Sequence, residues 1–434
     1  MACVLPTSVQ SQITAVVSGV ERRPAPTPKP PNLVVILADD LGVDMLSGYG
    51  EGAMPPCTPR IDGLAEQGLL FRNAWANPTC SPARAAMLTG RYGFRTGIGT
   101  PANQNNPLPL DETTLPELLA GAGYTSSCVG KWHLGGGATY PNIAGFDHFA
   151  GAISGAVDDY FSWTKVVDGV SSPSGTYVTT DTTDEAMIAM ASMPEPWLLY
   201  VAYNAPHTPI HVPPAGLCPQ AGCASSVCLS VGPNSSTPRR TKAMVEALDT
   251  EIGHLLDALD ALDPDAYVLF MGDNGTAGMA TQAPFVNSHA KGSVYEGGVN
   301  VPFVVRGPGV AHGETAALAS VTDVHATFAH LAGVSTTAED GRSLVPVLAA
   351  PGRSVRDMVY TESFTPNGFG PWTDHRRAVR DDRYKLIRAQ GQADEFFDLL
   401  EDPFESDNLW PGLDASEQEA YDALLAELVT LGVD

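Results

Sequence analysis

Three short apolar segments, each followed directly by polar side chains, constrain the fold of this chain most. The first, 33–38, contains only Leu, Val, Ile and Ala and ends in Asp39 and Asp40. An apolar run without alternation is typical of a strand buried on both faces of a parallel sheet. The segments 197–203 and 266–271 have the same character. Helical patterns lie between them, so the sequence predicts an α/β fold with its ligand site at the carboxyl edge of the sheet.

Length and charge exclude several classes of protein. A chain of 434 residues is long enough for one large domain and a smaller one. The formal net charge is −25, so we expect no nucleic-acid partner, because no basic field exists to neutralise phosphates. No apolar run approaches the roughly 20 residues of a membrane span, so we expect no transmembrane segment. Six lysines against eighteen arginines fit a saline or extracellular setting, and equally a highly soluble protein.

Cys80 lies in a segment that predicts the start of a helix. Pro82 suits the first turn, residues 83–88 are good helix formers and Gly90 is a plausible stop. We therefore expect Cys80 directly before a helix N-terminus, where free N–H groups favour an anion and Arg84 adds positive charge. The alternative is an inert buried cysteine in front of an ordinary helix.

The wider motif favours a functional cysteine. Cys-x-Pro-x-Arg followed by Leu-Thr-Gly-Arg resembles the signature of the type I sulfatases, in the alkaline phosphatase superfamily. The resemblance implies that a formylglycine-generating enzyme oxidises Cys80 to formylglycine, the nucleophile that attacks a small-molecule sulfate ester. It also implies a large, mixed but mostly parallel sheet sandwiched by helices, with a small C-terminal antiparallel sheet plus helix. It extends from about residue 31 to the C-terminal region.

Two polar pairs resemble the calcium ligands of that family. Asp39 and Asp40 follow the first strand, and Asp273 and Asn274 follow the strand predicted at 266–271. Adjacent carboxylates repel each other unless a cation lies between them, although a solvated turn is the commoner fate of either pair in isolation. The resemblance implies that these four residues, with modified Cys80, bind Ca2+. Oxygen donors alone also leave Mg2+ open.

Three further motifs of the family supply the remaining catalytic candidates. Lys131 and His133 stand in Gly-Lys-Trp-His, His207 in Ala-Pro-His-x-Pro, and Lys291 in Lys-Gly-x-x-Tyr-Glu-Gly-Gly. The resemblance implies that both lysines bind sulfate oxygens, that His133 contacts the hydrated aldehyde and that His207 protonates the departing alcohol. Outside this context each would be an ordinary structural or mobile polar group.

Cysteine spacing bears on the compartment. Cys218, Cys223 and Cys228 lie in one Gly/Pro/Ser-rich insertion. We favour a disulfide between two of them, with the third bonded to Cys57 or free; free thiols and a metal site are the alternatives. Disulfides imply an oxidising compartment, so we expect a periplasmic or secreted protein. Residues 1–30 have no clear signal-peptide pattern and are consistent with a trimmed signal or the leader of a lipid-anchored precursor.

The predicted domains are a tail or linker at 1–30, a catalytic domain at 31–353 and a C-terminal subdomain at 354–434. A helix is expected over 242–262, and short strands near residues 360, 384–387 and 395–399 precede a helix over 416–431. Ser154 and the segment 158–160 could reach the pocket, although we favour a scaffold role, and His325 is predicted to be structural.

Two other functions compete with sulfatase activity. One is a phosphodiesterase or phosphonate monoester hydrolase of the same superfamily, and the other is an inactive sulfate-ester-binding protein. Aryl, alkyl and single-sugar sulfates all fit as natural substrates.

Overall fold

A computed structural model describes residues 29–219, 223 and 225–433. The predicted tail 1–30 lies outside the described residues except for its last two. No helix among the described residues combines the length and apolarity needed to cross a bilayer.

Ten of the described strands form one sheet. They are β1 Leu33–Ala38, β2 Leu69–Trp75, β3 Thr125–Lys131, β4 His148–Ala152, β5 Trp163–Val167, β6 Val170–Ser174, β7 Trp197–Ala202, β8 Tyr267–Gly272, β9 Phe303–Arg306 and β10 Gly313–Ser320. Their order is β10-β2-β9-β8-β1-β7-β3-β4-β5-β6. Strands β8, β1, β7, β3 and β4 are mutually parallel, whereas β9 and β5 run antiparallel to their neighbours.

Helices cover both faces of this sheet. The α-helices are α1 Pro59–Glu66, α2 Cys80–Thr89, α3 Gly93–Thr96, α4 Leu115–Ala120, α5 Tyr140–Ile143, α6 Val178–Ser192, α7 Thr237–Leu262, α8 Glu296–Val299, α9 Asp323–Leu331, α10 Val345–Ala349 and α11 Ala415–Leu431.

Strand β1 shows that helices bury both faces of the sheet. Its six side chains are fully buried and alternate between two hydrophobic clusters, one on each face of the sheet. Residues of α2, α4 and α9 belong to the first cluster, and residues of α1, α6 and α7 to the second. The predicted mixed, mostly parallel sheet between helices is confirmed.

The C-terminal part forms a second, antiparallel sheet of β11 Val359–Thr365, β12 Asp374–Arg380, β13 Tyr384–Ala389 and β14 Glu395–Asp398. Helix α11 packs on it, with Tyr421, Leu424 and Leu428 against Leu386 and Phe396. This sheet and helix are as predicted, but β12 was missed because Asp-His-Arg-Arg has no apolar alternation. The boundary between residues 353 and 354 stays a prediction.

Two disulfides hold the cysteine-rich insertion. Cys218 bonds to Cys228, and Cys223 bonds to Cys57 in the loop before α1. The favoured disulfide interpretation is therefore confirmed, with the third cysteine bonded to Cys57. Helix α7, which follows the insertion, begins five residues before the predicted start at 242, since Pro238 occupies its first turn.

Candidate active site

The predicted site residues come from four neighbouring parallel strands. Asp39 and Asp40 follow β1, Asp273 and Asn274 follow β8, His207 lies beyond β7, and Lys131 ends β3. Because these strands run in one direction, their carboxyl ends bring the six side chains to one edge. Asp40 has φ of 67°, a left-handed conformation that Asp tolerates better than most residues.

Helix α2 delivers the cysteine. It begins at Cys80 itself, one position earlier than expected, after Thr79 in extended conformation, and it ends at Gly90 with φ of 67°. The next side chain fixes this end, because Ser81 Oγ donates to the carbonyl of His133 at 2.7 Å and accepts from Ala102 N at 2.8 Å. Cys80 is thus a buried side chain in the first turn of α2, and the N-terminus of this helix lies at the carboxyl ends of the strands.

Charged groups surround the Cys80 sulfur. Its Sγ lies 3.3 Å from Asp39 Oδ1, 3.5 Å from Lys131 Nζ and 3.7 Å from Lys291 Nζ. Lys131 also pairs with Asp39, and Lys291 Nζ lies 2.5 Å from Asp40 Oδ1. Burial, followed by the negative charge of Asp39, raises the pKa of the Cys80 thiol, so the unmodified thiol stays protonated.

Arg84 connects two of the strand ends that carry site residues. The guanidinium is fully buried, and its Nε and Nη2 donate to Asp273 Oδ2 at 3.0 and 2.8 Å. Nη1 donates to the carbonyl of Lys131 at 2.8 Å. Arg84 therefore orients a predicted metal ligand and the end of β3 at once.

The acidic residues form a buried cluster that fits a hard cation. Asp39, Asp40, Cys80 and His207 each present one potential ligand atom, and these four atoms all lie within 4.8 Å of one another. Asp273 Oδ1 accepts from the backbone N–H of Asp40 at 3.2 Å. Burial and the charge of Asp39 raise the pKa of Asp273 to about 6.

Asn274 completes the donor set. Its Nδ2 donates to Asp40 Oδ1 at 2.9 Å, while its buried Oδ1 has no hydrogen-bond partner among the described residues. A buried amide oxygen without a partner is unfavourable, and a cation would satisfy it. The predicted ligands Asp39, Asp40, Asp273 and Asn274 offer only oxygen atoms, as Ca2+ and Mg2+ prefer.

The two histidines are held differently. His207 Nδ1 donates to the carbonyl of Thr208 at 2.9 Å, which leaves Nε2 toward the cluster, 3.9 Å from Asp40 Oδ2. His133 has φ of 53°, and its buried Nδ1 has no hydrogen-bond partner among the described residues. Burial, then Lys131 and Arg84, lower the pKa of His133 to about 2, so the ring is neutral.

The loop after β4 touches both histidines. A Cβ at Gly155 would lie 2.3 Å from His133 Nε2, so only glycine allows this approach, whereas the neighbouring Ser154 is exposed. The hydroxyl of Tyr160 donates to the carbonyls of Asn204 and His207 at 2.7 and 2.8 Å. Within the segment 158–160, Tyr160 therefore supports the His207 loop. Its position in the sequence gave only a weak signal for this role.

Comparison with known proteins defines the class. The chain matches the Sulfatase family over residues 31–334 and the family N-sulphoglucosamine sulphohydrolase, C-terminal, over residues 287–432. The chain belongs to the sulfatase family and is a sulfuric ester hydrolase. The sequence-based assignment to this family is confirmed.

Individual relatives support the assignment. The chain is 31% identical to N-acetylgalactosamine-6-sulfatase of Rattus norvegicus, over 80% of this chain and 71% of that protein. It is 32% identical to arylsulfatase A of Bos taurus, over 91% of this chain and 86% of that protein. Among solved structures, Ps i-CgsB in complex with k-i-k-neocarrahexaose has a TM-score of 0.78 and 25% identity, covering 92% of each chain.

Proposed function

We propose that the chain hydrolyses sulfate monoesters through formylglycine formed from Cys80, beside a Ca2+ bound by Asp39, Asp40, Asp273 and Asn274. The observation that supports this most is the position of Cys80 Sγ within 3.7 Å of Asp39, Lys131 and Lys291. A buried atom that lies close to one carboxylate and two ammonium groups is well placed to act as the nucleophile that attacks a sulfuryl group.

Two groups would supply the rest of the chemistry. Ca2+ would provide Lewis-acid polarisation, and the hydrate of formylglycine would provide one hydroxyl as the nucleophile and a second whose deprotonation would re-form the aldehyde and break the C–O bond to sulfate. The unpartnered Asn274 Oδ1 and the all-oxygen donor set fit the cation, with Mg2+ as the alternative.

The residues of the chain perform the remaining steps. Lys131 and Lys291 bind sulfate oxygens and stabilise charge in the transition state. Arg84 adds positive charge and orients Asp273. His207 serves as the general acid: the Thr208 carbonyl accepts from its Nδ1–H and so directs Nε2 to the departing oxygen, which receives the Nε2 proton of the doubly protonated ring. His133, neutral and with Nδ1 unpartnered, accepts a hydrogen bond at position 80.

The substrate and setting follow from the relatives and the cysteines. We infer a sugar sulfate as substrate, since N-acetylgalactosamine-6-sulfatase is among the relatives. Maturation requires a formylglycine-generating enzyme as a partner. Two disulfides favour a periplasmic or secreted location.

The test is a comparison of substrates with protein whose aldehyde has been verified by mass spectrometry and which has been loaded with Ca2+. We expect kcat/KM for 4-nitrophenyl sulfate to exceed that for bis(4-nitrophenyl) phosphate and for 4-nitrophenyl phenylphosphonate. A preference for either phosphorus ester would favour the phosphodiesterase or phosphonate monoester hydrolase. Binding of aryl sulfate without turnover would favour the inactive sulfate-ester-binding protein.

A further inference from the structure

An aromatic wall, formed by Tyr160, Phe161, Tyr177 and His211, stands beside the His207 loop. The Tyr160 hydroxyl is bonded to the His207 carbonyl, and the His211 ring packs 4.2 Å from the Tyr160 ring, measured between centroids. Phe161 meets His211 edge-to-face at 5.6 Å and is 44% exposed. An exposed aromatic ring anchored on the loop of a catalytic histidine is available to a bound ligand.

His211 is held as a neutral member of this wall. Its Nδ1 lies 2.9 Å from the Pro209 carbonyl, and a carbonyl only accepts, so Nδ1 carries a hydrogen. Its Nε2 lies 2.9 Å from the Tyr177 hydroxyl, which donates to it. Burial lowers the pKa of His211; the Pro209 carbonyl and the charge of Asp159 oppose this shift in part, and the charge of Arg240 adds a smaller lowering.

Arg240 has no anionic partner within the part of the chain that the structure describes. Its Nη1 donates to the carbonyl of Ile210 at 3.2 Å, in the same loop as His207 and His211. Its Nε is buried without a hydrogen-bond partner, and it has no salt bridge to a carboxylate among the described residues. This is unexpected in a chain with 49 acidic and 24 basic residues, where a free carboxylate partner is easily found.

Helix stability does not explain Arg240 either. The side chain belongs to the N-terminal part of α7, where no acidic residue occupies the first turn. The helix dipole makes a positive charge at this end unfavourable. The Arg240 guanidinium is therefore partly buried, has no carboxylate partner among the described residues and lies at the helix end where a positive charge is unfavourable. Such a group is suited to bind an anion that comes from outside the protein.

We propose that Arg240 and the aromatic wall form a leaving-group subsite for a ring that carries a second anionic substituent. The ring packs against Phe161 and His211, and Arg240 binds the substituent, a carboxylate or a second sulfate. This inference rests on the proposed function, because it places the ester oxygen at His207. The substrate class is then a sulfated sugar with an additional negative charge.

The test compares three sugar sulfates with 4-nitrophenyl sulfate, using calcium-loaded, aldehyde-verified protein. The sugars are a monosulfated hexose, its disulfated counterpart and a sulfated uronic acid, which separate the two anions. We expect the wild-type protein to prefer at least one doubly anionic sugar by about tenfold to hundredfold in kcat/KM, as one charge-assisted hydrogen-bond pair allows. Arg240→Gln should remove the preference and leave 4-nitrophenyl sulfate within about twofold.

Matched control variants separate loss of the subsite from a general effect of substitution. Arg239→Gln, one position earlier, removes a guanidinium that donates to Ser230 Oγ and should keep the preference. Arg240→Lys should keep part of it, because the charge remains. Phe161→Ala should raise KM for the sugars, whereas Leu262→Ala, at the far end of α7, should not. Equal loss on all four substrates in Arg240→Gln, or no wild-type preference, would overturn the subsite. Failure of the wild-type protein to hydrolyse any of the four sulfate esters would instead overturn the proposed function.

Discussion

At the scale of single residues, the loops that carry the candidate metal ligands are tied by one buried hydroxyl. Thr276 Oγ1 donates to Asp44 Oδ1 at 2.5 Å and accepts from Gly42 N at 3.0 Å. The other oxygen of Asp44 accepts from Gln282 N at 3.0 Å. The loop after β1 and the loop after β8 are therefore joined beneath Asp40 and Asn274.

We expect Thr276→Val to weaken Ca2+ binding. The variant keeps the shape of the side chain but leaves a buried carboxylate oxygen and an N–H group unpaired, which costs about 1–3 kcal/mol. Isothermal titration with Ca2+ should show an affinity lower by about tenfold, and Ca2+ should raise the Tm less than in the wild type. Thr281→Val is the control, since that hydroxyl bonds only to backbone carbonyls at 3.3 Å. Equal calcium affinity in both variants would refute the tie.

Cys80→Ser tests why a cysteine is needed at the head of α2. An unoxidised serine offers a single hydroxyl, so it can accept a sulfuryl group but cannot expel it. We expect alcohol release no greater than the amount of enzyme, and a mass increase of one sulfuryl group on the peptide with residue 80. Cys128→Ser controls for loss of the other buried free thiol in the described ranges and should retain turnover. Sustained turnover by Cys80→Ser would contradict the mechanism.

At the scale of elements, α9 carries a buried histidine that links stability to pH. His325 Nδ1 contacts Thr336 Oγ1 at 3.2 Å, whereas its Nε2 is buried without a partner among the described residues. Burial lowers the pKa of His325 to about 4, against about 6.5 in an unfolded chain. The unfolded state therefore binds more protons between these values, and stability must fall as the pH drops through this window.

We expect His325→Gln to reduce this dependence. From pH 7 to pH 5, His325 should account for a loss of about 2 kcal/mol in the free energy of unfolding. Urea titrations of both proteins at the two pH values measure the difference between their losses, which removes the contribution of other groups. His330→Gln, on the same helix but exposed, should lose as much stability as the wild type. An identical loss in His325→Gln would contradict the assignment.

Elements whose signal is local were predictable. Strands β1, β7 and β8 follow continuous apolar runs, and α2 has Pro82 at its start and Gly90 at its end. Strand β12 was not predictable, because its first four residues are polar and show no apolar alternation, although its partners β11 and β13 adjoin it in the sequence. The family motifs predicted ten site residues, but no local pattern marks Tyr160, whose hydroxyl donates to two carbonyls more than 40 residues away.

At the scale of the whole molecule, a buried ionic cluster joins the two sheets. Glu296, which begins α8, accepts from Trp75 Nε1 and Lys385 Nζ, both at 3.1 Å. Lys385 also pairs with Glu405 at 2.7 Å, and Glu405 accepts from the backbone N–H of Glu296. Strand β2 of the large sheet, β13 of the small sheet and the segment that carries Lys291 therefore meet at one fully buried lysine.

We expect Lys385→Met to destabilise the protein strongly, because it leaves Glu405 without its cation and Glu296 with only Arg380, which lies 3.3 Å away. Removal of one partner from a buried ion pair costs about 3–5 kcal/mol, whereas an exposed pair contributes about 0–1 kcal/mol. Arg376→Met, which breaks an exposed contact to Asp374 on β12, is the matched control. Urea unfolding at neutral pH should separate the variants clearly. If the two midpoints agree, the cluster does not stabilise the junction, and the small sheet must be held by its apolar contacts with Trp75, Val294 and Val299.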